Sequence, residues 1–203
     1  EGAIDKKVVC ITDLDPERKC KTENNAKFKK CYPFELNVDT DKYDYKPCSN
    51  NFITEFEDKI KNGDISDNIK YFTQNIGGGK TLEYEIVLSN PNCKDLITNS
   101  IGNAEKLEKL SEYFNEDKDL SCMLDELSNS GEDKRIKDSI INSSWDDDKK
   151  KRKHLIAAKY LNSVGKGENA MELSDILENN LKNKKFDFKP PEYIKKAIEW
   201  IIK

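Results

Sequence analysis

The N-terminal stretch of residues 10–48 reads CITDLDPERKCKTENNAKFKKCYPFELNVDTDKYDYKPC and contains four of the six cysteines. The six are Cys10, Cys20, Cys31, Cys48, Cys93 and Cys122. Zinc sites need clustered cysteine and histidine ligands, whereas this chain has no C-x-x-C pair and one histidine, His154. The even number of spaced thiols therefore predicts structural disulfides, no metal site and no cofactor. The alternative is a set of buried, reduced thiols that pack as small hydrophobic side chains.

Disulfides persist in oxidising compartments, so the predicted cross-links favour a secreted, extracellular protein. Residue usage adds a second indication, because 32 of the 35 basic residues are lysine and 20 residues are asparagine. This bias is typical of an AT-rich coding sequence and suggests a parasite or a blood-feeding invertebrate as the source. If the protein is secreted, its signal peptide lies outside the given sequence.

Length and composition favour one domain over residues 1–203, because 203 residues with 35% hydrophobic residues suffice for one core. The charged fraction is 36%, but the net charge is only -4, so no strong field of one sign surrounds the chain. Nucleic acid is therefore not an expected partner, and the scarcity of arginine agrees with this. No apolar run is long enough to cross a bilayer, which predicts no transmembrane segment.

Hydrophobic periodicity predicts a mainly α fold, a disulfide-stabilised helical bundle over 49–203, with an irregular cysteine-rich region at 1–48. Phe52, Phe56 and Ile60 recur at four-residue spacing after a capping residue, Asn50. Further helices are expected within 65–76, from Pro91 to 101, from 103 with a break near 117, and at 135–142, 144–164, 170–181 and 191–203. The stretch 82–88 alternates like a strand and stays ambiguous.

Two motifs suggest ligand sites, but neither fits its consensus. Gly77-Gly78-Gly79-Lys80-Thr81 resembles the end of a phosphate-binding loop, yet Gln74 stands where that loop needs its first glycine. The acidic sets Asp13, Asp15 and Glu17, and Asp39, Asp41 and Asp44, suggest calcium but lack the glycine of a calcium loop. We therefore interpret the first as a turn between helices and the second as loop acids.

A basic run, Lys149, Lys150, Lys151, Arg152 and Lys153, is a candidate site for polyanions. Three aspartates precede it at helical spacing, which favours a self-neutralised, solvated helix face with His154 on its surface. Asn142 heads the only N-x-[ST] acceptor and is a candidate glycosylation site.

Four aromatic residues in the N-terminal region are candidate binding residues, because little regular structure is expected there to bury them. They are Tyr32, Phe34, Tyr43 and Tyr45. Tyrosine is enriched in protein interfaces because it contributes a large contact area and a polar group. The alternative is that they pack as a lid over the helices.

No catalytic motif occurs in the chain, so the sequence favours a non-enzymatic protein. We expect a secreted binding protein that engages a host protein or cell-surface macromolecule and modulates host immunity or haemostasis. The alternative is a carrier of a small apolar ligand in a helical cavity. A third class is a hydrolase that uses carboxylates, and a deep pocket with two close carboxylates would favour it.

Overall fold

The structure, a computed structural model, describes residues 6–185 and 187–202, apart from the side chain of Lys166. In these residues the strands are β1 (Val8–Ile11), β2 (Glu17–Cys20), β3 (Lys29–Lys30), β4 (Tyr43–Lys46) and β5 (Ile69–Phe72). The helices are α1 (Asn51–Lys61), α2 (Leu82–Ser89), α3 (Ala104–Asn115), α4 (Leu120–Asp125), α5 (Gly131–Ile141), α6 (Asp148–Ser163), α7 (Lys166–Lys182) and α8 (Glu192–Ile202). Two short 3-10 helices span Pro33–Glu35 and Lys94–Leu96.

The chain divides into two compact units, and each is described here by itself. Unit 1 comprises Glu1–Leu82 and Pro190–Lys203, and unit 2 comprises Glu83–Lys189. The single-domain organisation over 1–203 stays a prediction.

Unit 1 contains a parallel pair of strands, β1 and β5, in the register Val8↔Ile69 to Ile11↔Phe72. Successive side chains of a strand point to opposite faces of a sheet. The Tyr71 ring lies 5.5 Å from the Phe56 ring of α1, and the Phe72 ring lies 6.3 Å from the Trp200 ring of α8. The two helices therefore contact opposite faces of the same strand.

The second sheet of unit 1 is antiparallel, with the strand order β3-β2-β4. Arg18 of β2 lies over the Tyr43 ring of β4 at 4.8 Å and forms an ion pair with the buried Glu35 at 3.1 Å. The N-terminal region is thus built from short strands, and the prediction of an irregular segment at 1–48 is wrong.

The predicted disulfides are also wrong. All six cysteines lie in the described part of the chain, and no two of them are at disulfide distance. Cys20 Sγ instead lies 3.2 Å from the Thr22 hydroxyl, and Cys48 Sγ donates to the Asn50 carbonyl at 3.5 Å. Backbone pairing and side-chain packing hold these segments, so the disulfide-stabilised fold class must be corrected.

Unit 2 contains α2 from Glu83 onward, α3 to α7 and one 3-10 helix, and α6 packs against α3, α4 and α5. Leu110 of α3, Met123 of α4 and Leu155 of α6 are fully buried. An ion pair lies in this interior, because Lys159 Nζ is 2.5 Å from Asp133 Oδ1 and Lys106 Nζ is 2.9 Å from Asp133 Oδ2. Burial raises the pKa of Asp133, but the hydrogen bonds from both lysines and the Ser128 amide outweigh it and lower this pKa to about 2.

Several predicted helices are confirmed and three segments differ. Asn50 caps α1, because its Oδ1 accepts from the Phe52 amide at 3.0 Å. Asp117 has a φ of +54° and separates α3 from α4, where a break is expected. The helix predicted within 65–76 is instead strand β5, and the ambiguous stretch 82–88 is helix α2. The helix predicted from Pro91 to 101 is also wrong, because only the 3-10 helix Lys94–Leu96 forms there.

Candidate functional site

A cleft of about 590 Å³, lined by polar residues and by Ile11 and Leu82, lies in unit 1 at the carboxyl end of β1. The polar residues that line it are Thr12, Asp13, Asp15, Ser49, Asn50 and Tyr193. In open sheets with parallel strands, ligands bind outside the carboxyl ends of the strands. The cleft lies at the corresponding end of this two-stranded parallel pair.

Residues 12–16 form the loop that leaves β1, and hydrogen bonds fix it on several sides. The Thr12 amide donates to the Phe72 carbonyl at 3.2 Å, which extends the pairing with β5 by one residue. Asn50 Nδ2 donates to Thr12 Oγ1 at 2.6 Å, and the Ser49 amide donates to the Leu14 carbonyl at 2.9 Å. Leu14 is fully buried, so it anchors the loop while its two acidic neighbours line the cleft.

Gln74, the second residue after β5, is buried beneath this loop with 3% of its surface exposed. Its Nε2 donates to Asp13 Oδ1 at 2.7 Å and to the Tyr193 hydroxyl at 3.1 Å. Its Oε1 accepts from the Leu14 amide at 2.9 Å. The ends of both parallel strands and helix α8 are therefore joined through one amide.

Asp15 has an unusual backbone and side-chain environment. Its φ of +44° lies in the left-handed region, which aspartate adopts more readily than most residues with a side chain. Its amide donates to the Lys80 carbonyl at 3.0 Å, and its Oδ2 accepts from Lys30 Nζ at 2.7 Å. This hydrogen bond raises the pKa of Lys30.

The two carboxylate oxygens of Asp15 differ in their hydrogen bonding. Asp15 Oδ1 is buried and has no hydrogen-bond partner among the residues that the structure describes. A buried carboxylate oxygen without a donor costs free energy, which a bound cation would recover.

The structure brings together two motifs that sequence analysis discounted. The Lys80 carbonyl of the glycine-rich motif accepts the Asp15 amide of the first acidic set. Gly77 has a φ of +82°, and the amides of Gly78 and Gly79 both donate to the Asn75 carbonyl, so the glycines form a turn. Lys80 is buried and donates to the Cys31 carbonyl at 2.7 Å, which is not the position of a lysine that cradles a phosphate.

In the second acidic set, Asp39 and Asp41 precede β4 and Asp44 lies on β4. Asp39 Oδ1 accepts from the Lys42 amide at 3.0 Å, and Asp44 forms an ion pair with Lys19 at 3.3 Å. Among the described residues, no group of three or more histidine, cysteine, aspartate and glutamate side chains is arranged to hold a metal ion. The cleft thus offers two carboxylates rather than a complete protein cage.

The four candidate aromatic residues divide into two pairs. Tyr32 and Phe34 are buried and stack with ring centroids 5.0 Å apart, so they belong to the core of unit 1. Tyr43 and Tyr45 on β4 are half-buried, and the Asp39 amide donates to the Tyr45 hydroxyl at 3.1 Å. Only the second pair therefore presents part of its surface for binding.

The basic run lies in the first turns of α6. Asp147 caps this helix, since its Oδ1 accepts from the Lys150 amide at 2.9 Å, and Lys150 Nζ lies 3.7 Å from the centre of the Trp145 ring. Arg152 is buried and pairs with Asp117 at 2.8 Å, whereas Lys149 is exposed. Binding of polyanions at Lys149, Lys150, Lys151, Arg152 and Lys153 stays a prediction.

His154 is not on the helix surface, and that prediction is wrong. It is 5% exposed, its Nδ1 lies 2.8 Å from the Tyr84 hydroxyl, and its ring packs edge-on against Trp145. Burial, together with the charges of Lys150 and Lys153, lowers the pKa of His154 to about 3. His154 is therefore neutral at physiological pH and lies in the interior of unit 2.

Asn142 is exposed at the C-terminal end of α5, where its Nδ2 donates to the Asp138 carbonyl at 2.8 Å. Glycosylation at this position stays a prediction.

Sequence reasoning missed Gln74 and interpreted Asp13 and Asp15 as loop acids. The available signal was that polar residues follow both β1 and β5, but β5 was interpreted as part of a helix. Without that strand, the two segments have no reason to meet.

No protein-family model, curated protein or solved structure matches the chain. In the described part of the chain, every helix is too short or too polar to span a bilayer.

Proposed function

We propose that the cleft of unit 1 binds a hard divalent cation, Mg²⁺ or Mn²⁺, and that the protein uses it to hydrolyse a phosphate ester. The observation that carries this proposal is the pair Asp13 and Asp15, which lines one cleft at the carboxyl end of β1 and includes the buried, unsatisfied Asp15 Oδ1. This function departs from the expected non-enzymatic protein and develops the carboxylate hydrolase that was the third class.

The donor atoms support a hard cation. The polar groups of the cleft are carboxylate, hydroxyl and amide groups, from Asp13, Asp15, Thr12, Ser49 and Asn50. Oxygen ligands of this kind suit Mg²⁺ and Mn²⁺ rather than zinc. A cation beside Asp15 would also satisfy its buried oxygen.

The number of carboxylates supports a phosphate substrate. Mg²⁺ keeps several waters and is commonly held by one or two carboxylates together with substrate phosphate oxygens. When bound, such a cation polarises the phosphoryl group and lowers the pKa of a coordinated water. Lys30, whose Nζ is 2.7 Å from Asp15 Oδ2 and whose side chain is 65% exposed, supplies positive charge to attract the phosphate.

The test is hydrolysis of bis(p-nitrophenyl) phosphate and p-nitrophenyl phosphate with Mn²⁺ or Mg²⁺. We expect activity that chelation removes and that Asp13→Asn and Asp15→Asn each reduce by at least about 100-fold. Asp41→Asn is the matched control, because Asp41 is an exposed acid of the same unit outside the cleft. Metal-independent hydrolysis, or equal activity in all three variants, would contradict the proposal.

A second candidate is the binding protein expected from the sequence, secreted and directed at a host protein or cell-surface macromolecule. It is supported by the half-buried Tyr43 and Tyr45, which lie beside Arg18 and Lys42 on one strand pair. Secretion no longer has disulfides to support it, and residue usage bears only on the source of the protein. Surface plasmon resonance with plasma and cell-surface proteins tests this function. A partner that binds the Tyr43→Ser, Tyr45→Ser double variant as tightly as the wild type would not use this surface.

The carrier of a small apolar ligand has less support. The pocket of unit 2 lined by Val87, Leu96, Leu107 and Ile156 encloses only about 10 Å³, which is about the space of one water. A second cleft of unit 2 holds about 500 Å³, but Asn90, Asn92, Lys94 and Asp95 are among its lining residues. Native mass spectrometry of the purified protein tests this function through the mass of a retained ligand.

A further inference from the structure

We propose that Gln74 is the positioning residue that orients the Asp13 carboxylate for cation binding. This inference rests on the proposed function, because it assumes that the cleft holds a cation. Gln74 does not line the cleft, and it acts through Asp13, whose Oδ1 accepts from Gln74 Nε2 at 2.7 Å.

The orientation of the Gln74 amide is determined by its neighbours. The Leu14 amide can only donate, and it lies 2.9 Å from Gln74 Oε1. The Asp13 carboxylate, when ionised, can only accept, so it requires the Nε2 side. A rotation of the amide by half a turn would place donor against donor and acceptor against acceptor.

The hydrogen-bonding capacity of this amide is fully used. Its two N–H groups donate to Asp13 and Tyr193, and its oxygen accepts from the Leu14 amide and from Thr73 Oγ1 at 3.3 Å. With 3% of its surface exposed, Gln74 has little room to move. Asp13 Oδ1 is thereby held, and the carboxylate keeps one orientation relative to Asp15.

Partners of this kind, which hold a ligand without touching the metal, strengthen metal binding because they fix the ligand in place. Loss of such a partner weakens metal affinity by about 10- to 100-fold. A merely structural glutamine would instead affect folding and leave cation affinity unchanged.

The experiment is a double-mutant cycle with Mn²⁺ as the probe, read by electron paramagnetic resonance of the free ion. Gln74→Met keeps the length of the side chain and removes both donors and the acceptor. We expect it to raise the Mn²⁺ Kd by about 10- to 100-fold in the wild-type background and by less than about 2-fold in the Asp13→Asn background. Thr73→Val is the matched control, because Thr73 contacts Gln74 at 3.3 Å, and it should change the Kd by less than about 3-fold.

Thermal unfolding of each variant separates folding from positioning. A Gln74→Met protein with a lower Tm and an unchanged Mn²⁺ Kd would overturn the positioning role, as would equal effects in both backgrounds. If Gln74→Met does not fold, Gln74→Asn replaces it, since its amide is one methylene too short to reach both Asp13 and Leu14. A wild-type protein without Mn²⁺ binding would overturn the proposed function itself, and the role of Gln74 with it.

Discussion

Replacement of Asp133 by asparagine should destabilise unit 2 strongly at neutral pH and much less in acid. The side chains of Asp133 and Lys159 are 8% and 5% exposed, and their charged atoms are 2.5 Å apart. Asparagine preserves the shape but leaves Lys159 buried without a counter-charge. Removing one partner of a buried ion pair costs about 3–5 kcal/mol.

The pH dependence follows from the pKa of Asp133. It is lowered from 3.8 to about 2 in the folded protein, and this difference corresponds to about 2 kcal/mol of stability. Because the folded pKa lies below the unfolded one, that stability is present above pH 3.8 and is lost as the pH falls through about 2. The difference in the free energy of unfolding between wild type and Asp133→Asn should therefore decrease by about 2 kcal/mol from pH 5 to pH 2.

The assay is urea unfolding followed by tryptophan fluorescence in a Trp200→Phe background, so that the signal reports Trp145 of unit 2. Asp138→Asn is the matched control on the same helix, because its ion pair with Lys134 is 53% exposed on the Asp138 side and should contribute less than about 0.5 kcal/mol. The reasoning would be refuted if Asp133→Asn lost no more unfolding free energy at pH 7 than the control. It would also be refuted if this loss were not smaller in acid.

Three further predictions concern the folded chain. Proton NMR of His154 should show no titration between pH 8 and pH 5, because burial lowers its pKa to about 3, and a midpoint near 6.5 would contradict this. Since the unfolded chain takes up this proton near pH 6.5, wild-type stability should fall as the pH drops below that value. Asn50→Ala should reduce stability by about 1 kcal/mol in urea unfolding, because it removes the cap of α1 and the hydrogen bond to Thr12, whereas a change within error would show that neither contributes. Alkylation of denatured, unreduced protein should modify all six cysteines, as measured by mass spectrometry, whereas a pair of unmodified cysteines would indicate a disulfide.

Local signals predicted most of the longer helices. The four-residue spacing of Phe52, Phe56 and Ile60 and the cap at Asn50 indicated α1, because both signals lie within the helix itself. The break near Asp117 was also local, since it depends on one left-handed residue.

Signals between distant segments were missed. Ile65, Ile69, Phe72 and Ile76 have helical spacing, yet 69–72 pairs with β1, about 60 residues earlier, and that pairing determines the strand. The cysteines were misinterpreted because an even count carries no information on distances between side chains.

The candidate site was missed for the same reason. Asp13 and Asp15 were compared with a calcium loop, in which one continuous segment supplies the ligands. In the structure, the cleft is lined by residues that follow β1, residues that precede α1, and Tyr193 of α8, while Gln74 after β5 contacts Asp13 and Tyr193. Only the parallel pairing of β1 with β5 brings Gln74 beneath Asp13.

The cation site can be tested most directly by anomalous diffraction from crystals of the protein grown with Mn²⁺. The proposal predicts a peak in the cleft at about 2 Å from a carboxylate oxygen of both Asp13 and Asp15. A cleft without such a peak at millimolar Mn²⁺, in crystals where both side chains are ordered, would contradict it.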